Sequence, residues 1–173
     1  MPSRFQDKLR RIRDASRERS EQTHKVRTEE DIHRSEKTVQ AFEYRERVEA
    51  GIEDLVASFQ EEAPNFVLTR GFFEGKYMLA LRLDEQLLDE EGRSGSYFSR
   101  LMLLLDPRSE DGEFNVQCRK TIRDRDLETT TKTTAMDDAN VATLAEFIEA
   151  QFVAFAEAYF GDSSLTRPAS VPT

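Results

Sequence analysis

Four cations stand at alternating positions in the strand-like stretches of this 173-residue chain: Arg82, Arg100, Arg119 and Lys132. Each falls opposite the apolar residues of its stretch, with Gln117, Asn115, Thr121, Thr130 and Thr134 as polar neighbours. Aligned by register, they form a basic, hydroxyl-rich band that suits a phosphate, an acidic peptide or an RNA backbone. The same alternation arises whenever polar residues face water on a half-exposed sheet, with Glu113 and Glu128 as cross-strand partners. Sheet RNA readers also stack bases on aromatic rings, and Phe98 is the one obvious ring on that face.

Other reactive residue types lack the spacing that chemistry needs. His24 and His33 lie nine residues apart in a charged stretch and share a helix face only loosely, so both read as solvated. Asp84, Glu85, Asp89, Glu90 and Glu91 form one acidic loop, and Asp106, Glu110, Asp111 and Glu113 surround a second turn. Neither has the glycine and terminal Glu of the twelve-residue calcium loop. Cys118 is the single cysteine, so no intrachain disulfide or cysteine-rich zinc site can form. It alternates with Phe114 and Val116 and reads as a small buried hydrophobe. Phosphate loops, G-x-S-x-G and H-E-x-x-H are absent. No catalytic residue, metal ligand or cofactor is assigned, and a non-enzymatic protein is expected.

Charge is unevenly spread. The total is −9, yet residues 1–27 hold nine Lys/Arg against four Asp/Glu, and residues 28–62 hold four against eleven. An acidic body repels phosphates except where cations gather. Arg10, Arg11 and Arg13 mark such a gathering, suited to an anionic surface, nucleic acid or the acidic stretch of a second copy. Interleaved Asp7, Asp14, Glu18 and Glu21 weaken the phosphate option. The start carries no apolar leader, and the run Leu101–Leu105 is too short to span a bilayer, so a cytoplasmic protein without a membrane span is expected.

The elements that must position these residues are set by periodicity. Residues 1–27 read as a basic arm, partly disordered or helical, with one thin stripe of Phe5, Leu9 and Ile12. Thr28 is placed to cap a helix over 28–62, whose positions Ala41, Tyr44, Val48, Ile52, Leu55 and Phe59 share one face. Five strands are expected between 65 and 134. A hairpin turn falls at Glu74-Gly75, a loop over Asp84–Ser96, and the last strand, over Leu127–Thr134, is threonine-rich. A helix over 138–160, capped by Asp137 or Asp138 and stopped at Gly161, buries Val141, Leu144, Ile148, Phe152, Phe155 and Tyr159. Residues 162–173 read as a flexible tail. The order makes an α+β domain: a long N-terminal helix, an antiparallel meander of four to five strands and an apolar C-terminal helix, in two layers.

Two features point outward. A 28–62 helix extends about 52 Å while its apolar stripe covers only about 27 Å, so its acidic first third finds nothing to pack on. The C-terminal helix has more apolar surface than one sheet covers, leaving Phe147, Val153 and Ala154 for an interface. A protein-interaction or adaptor domain that self-associates, most simply as a homodimer, is the expected function. A module for an acidic ligand or nucleic acid, using the sheet cations and the arm, is the alternative.

Overall fold

The computed structural model describes residues 4–168, and the chain divides into two compact units, one up to Gln40 and one from Ala41 on. The elements are helix α1 (Arg4–Glu62), strands β1 (Val67–Phe73), β2 (Lys76–Leu88), β3 (Ser94–Arg108), β4 (Glu113–Ile122), β5 (Arg125–Asp126) and β6 (Thr130–Ala135), and helix α2 (Asp138–Gly161). Among the described residues, no helix is long and apolar enough to cross a membrane.

In the first unit α1 runs unbroken through Thr28, where a new start was expected. The Thr28 hydroxyl donates to the His24 carbonyl at 2.9 Å, a bond to the preceding turn that leaves the residue helical instead of capping. Its described residues are exposed apart from a half-buried Lys37, and Arg17–Glu21 is an i,i+4 ion pair at 3.2 Å.

In the second unit the stripe of α1 is buried as spaced: Ala41, Tyr44, Val48, Ile52 and Phe59, with Val56 taking the buried place expected for the half-buried Leu55. Strands β1 to β4 form an antiparallel meander, extended by the two-residue β5, and β6 pairs separately with β4. One face carries Leu79, Leu81, Leu101, Leu103, Leu105, Phe114, Val116, Cys118 and Ile122. The stripes of both helices close over that face, giving the two layers. Each large side chain buried there contributes about 1.5–3 kcal/mol. Glu74 and Gly75 turn with φ of 52° and 75°, the two left-handed residues of a tight hairpin.

Departures from expectation have local causes. The acidic loop shrinks to five residues, because β2 runs on to Leu88 with Leu87 buried on the helix side. Asp89 then folds the loop by accepting from the Arg93 and Glu91 backbone N–H at 2.8 and 3.0 Å. The open face is less polar than alternation implied, since Ala80, Met102 and Leu104 form a second small cluster there with Met78. Register overturns one candidate: Lys132 lies opposite Val116 and so belongs to the helix side with Thr130 and Thr134, away from Arg119. The segment expected to be loose is tied down as far as Arg167, because β2 outruns β1 and Thr166 pairs with Leu88 on the unoccupied edge, at 2.8 and 3.1 Å. Residues 169–173 of that expected tail, like residues 1–3 of the arm, lie outside the described residues.

The capping of α2 agrees with the sequence. Asp137 is extended and its carboxylate accepts from the Asn140 N–H at 2.9 Å, satisfying one open donor of the first turn.

Candidate functional site

On the open face two of the three candidate cations are committed to carboxylates. Arg82 donates to Asp84 at 2.8 Å and lies over the Phe98 ring at 4.4 Å. That hydrogen bond holds the Asp84 carboxyl below its ordinary range. Arg119 meets Glu74 with both terminal nitrogens, at 2.8 and 3.3 Å, and covers Phe73. Arg100 alone has no carboxylate within ion-pair reach among the described residues; it approaches Phe98 at 5.6 Å. It lines a cleft of 510 Å³ together with Gln117, Arg119, Thr121, Asp126 and Thr129. The four-cation band is therefore broken: two are neutralised, one faces the helices and one is uncommitted.

The helix side also holds a cation, at a position in phase with Cys118 and Ile122 on β4. Lys120 is buried on β4, and its ammonium donates to the Gln151 side chain of α2, which also accepts from Thr130 at 2.7 Å. Nearby Cys118 is fully buried, and burial pushes its thiol up to about 11, so no thiolate is available for nucleophilic work. No cluster of three or more His, Cys, Asp or Glu able to hold a metal occurs among the described residues.

A buried ion cluster escaped the sequence reading. Glu85 (β2) accepts from the Tyr159 hydroxyl (α2) at 2.9 Å and from Arg167 at 3.3 Å. Arg123 donates to the Asp162 carbonyl at 2.6 Å and lies 3.8 Å from Glu85 and 3.5 Å from the Asp162 carboxylate. Arg125 closes on Asp162 at 2.5 Å. The side chains of Glu85, Arg123 and Asp162 keep 10% of their accessible surface or less. Arg123 and Asp124 both have positive φ, 47° and 66°, though neither is glycine. Contacts hold that strained turn: the Arg123 head in the cluster, and Asp124 accepting from the Phe98 N–H at 2.9 Å. Arg123 Nε and one Glu85 oxygen make no hydrogen bond, but both carboxylates meet arginines in ion pairs, so the cluster reads as a lock joining α2 and the segment after it to the sheet.

Acid tests the lock. Burial alone would raise the Asp162 carboxyl, but bonds from Ser164 and Arg125 outweigh it and bring it to about 2, from an ordinary 3.8. A depressed folded-state value means the stabilisation is complete above pH 3.8 and is lost as pH falls toward 2. Because Arg125 is largely solvated, we expect about 1–2 kcal/mol of unfolding free energy to disappear over that window. Urea unfolding at pH 5 and pH 2 measures it, and Asp162→Asn should remove this part of the acid slope; an unaltered slope refutes the assignment.

The interface candidates are split. Phe147 is half-buried and packs on the core, whereas Ala154 is exposed and Val153 keeps 51% of its surface. Phe160, further along α2, keeps 58%. Arg10, Arg11 and Arg13 are all exposed in the first unit, Arg13 lying 3.5 Å from Asp14. A second exposed group was not foreseen. Phe72 is 76% exposed on β1, beside the Tyr77 ring, and Arg45 stacks over Tyr77 at 4.0 Å and Phe42 at 4.8 Å. Exposed aromatics interleaved with arginine match the composition of interface centres. A scan against protein-family models and searches of curated proteins and of solved structures find no match to this chain.

Proposed function

We propose that this chain is a non-enzymatic protein-interaction domain that self-associates. The observation that carries the reading is Phe72, three-quarters exposed on a strand whose outer side has no strand partner among the described residues. Leaving such a ring in water forgoes about 2 kcal/mol of burial, which a partner recovers. Val153, Ala154 and Phe160 add a second apolar strip on α2, bordered by Glu146, Glu149 and Glu157. The ionisable groups that converge in the second unit are tied to one another, which supports scaffold over catalysis.

The alternative, a module for an acidic ligand or nucleic acid, draws on Arg100 and its cleft. It has less behind it, because Arg82 and Arg119 already hold carboxylates and Lys132 lies on the other face. Sedimentation of the full chain from about 1 to 100 µM tests the first reading, in the range where standard interfaces associate. The expected result is a reversible shift from a 20.0 kDa species to one of twice that mass. A monomer throughout overturns self-association.

A further inference from the structure

We infer that the outer edge of β1 pairs antiparallel with β1 of a second copy, about a two-fold axis at Arg70, joining two sheets into one. The inference rests on the self-association reading and names the surface that performs it, the edge of β1 and not the strip on α2.

The hairpin turn decides which backbone groups are free. With Glu74 and Gly75 as the two turn residues, Phe73 and Lys76 form the hydrogen-bonded pair that closes the hairpin. Hydrogen-bonded and non-bonded pairs alternate along an antiparallel ladder. Phe73, Gly71, Thr69 and Val67 therefore direct their N–H and C=O toward β2. Leu68, Arg70 and Phe72 direct theirs outward, where no strand of the described residues meets them. Three consecutive outward residues centred on Arg70 form a self-complementary edge. Turned about that centre, Leu68 pairs with the second copy's Phe72, Arg70 with its counterpart, and Phe72 with Leu68, so every outward donor finds an acceptor. A shift of two residues in either direction leaves some of these groups without a partner.

Side chains fit the same register. Opposed residues share a face, so Phe72 gains Leu68 as a cross-strand neighbour and the exposed Val67 gains Phe73, while Thr69 meets Gly71. Edge strands that avoid pairing carry lysine, proline or a bulge. The β1 sequence VLTRGFF has none of these, and its one charge is already held. Arg70 lies 3.2 Å from Glu49 and also bonds Glu53, and Tyr77 donates to Glu49 at 2.8 Å. At the axis each guanidinium thus meets a cation escorted by two carboxylates, not a bare one. Arg45, over the Tyr77 ring, brings each escorting set to neutrality. Each copy therefore brings a set of zero net charge to the axis, which limits repulsion between the opposed arginines.

The test compares the full chain with Phe72→Lys and Arg70→Cys. Phe72 is solvated within one copy, so lysine leaves the urea midpoint of dilute, monomeric protein unchanged and weakens dimerisation at least about 30-fold, as loss of a central aromatic anchor does. Hydrogen-bonded antiparallel partners place Cα atoms about 5.5 Å apart, within disulfide reach. Oxidised Arg70→Cys should therefore run as a covalent dimer, while Thr69→Cys, off the axis and on the other face, should not; Cys118 is buried and does not interfere. A dimer that survives Phe72→Lys overturns the strand pairing and leaves self-association through α2 standing; one that is lost on Phe72→Lys while Arg70→Cys fails to cross-link overturns the pairing as well. Such a loss without cross-linking points to a different geometry at β1. A wild-type monomer at every concentration overturns both.

Discussion

Glu85→Ala lowers the unfolding free energy of the second unit by about 3–5 kcal/mol, the cost of breaking a buried pair and stranding its partner. Glu85 is buried on β2 and is the acceptor for Tyr159 on α2 and for Arg167 beyond it. Without it, the Tyr159 hydroxyl loses the bond it makes at 2.9 Å, and the buried Arg123 keeps one carboxylate in place of two. The Arg123 Nε and one Glu85 oxygen already lack a hydrogen bond in the described contacts, so the pair sits near the limit of what the site can satisfy. Glu85→Gln keeps the shape and an acceptor for Tyr159 but no charge for Arg123, and should cost less than half as much. Urea titration at pH 7 separates the two, with the midpoint moving at a constant slope. A cost under about 1 kcal/mol for Glu85→Ala would mean that Asp162 alone neutralises Arg123.

The architecture was legible wherever one period dominated a stretch. Val141, Leu144, Ile148, Phe152, Phe155 and Tyr159 repeat at helical spacing, and Glu74-Gly75 is a turn by residue type alone, so local rules suffice for α2 and the first hairpin. Lys132 shows where those rules stop. The run from Thr129 to Thr134 has no apolar alternation to fix its phase, and the short β5 shifts the phase of the residues after it, so only pairing with Val116 reveals the face. Thr28 is compatible with capping and with a helix interior; in the uninterrupted α1 its hydroxyl turns back to the His24 carbonyl and ring. The lock of Glu85, Arg123 and Asp162 joins residues far apart in the chain, and no spacing announces it. The unpaired edge of β1 is a property of strand order, which hydropathy does not encode.

Phe155→Ala carries the other large expected effect, again about 3–5 kcal/mol, this time from a cavity. Phe155 is fully buried on α2, with its ring centroid 5.8 Å from Phe59 of α1, 5.8 Å from Phe66 and 6.4 Å from Tyr159. It is therefore the point where both helices of the second unit meet the residue that leads into β1. Truncation removes the ring's transfer free energy, and surrounding aromatics that also contact one another relax only partly into the space. Phe155→Leu fills most of the volume and should cost about 1–2 kcal/mol. Val153→Ala, two residues away and half exposed, should stay within about 0.5 kcal/mol. The three urea midpoints thus separate covered from uncovered surface on one helix. Equal losses at 153 and 155 in dilute protein would mean that Val153 is buried within a single copy. A large Val153→Ala loss that appears only at concentrations where the dimer forms would instead return the interface to α2.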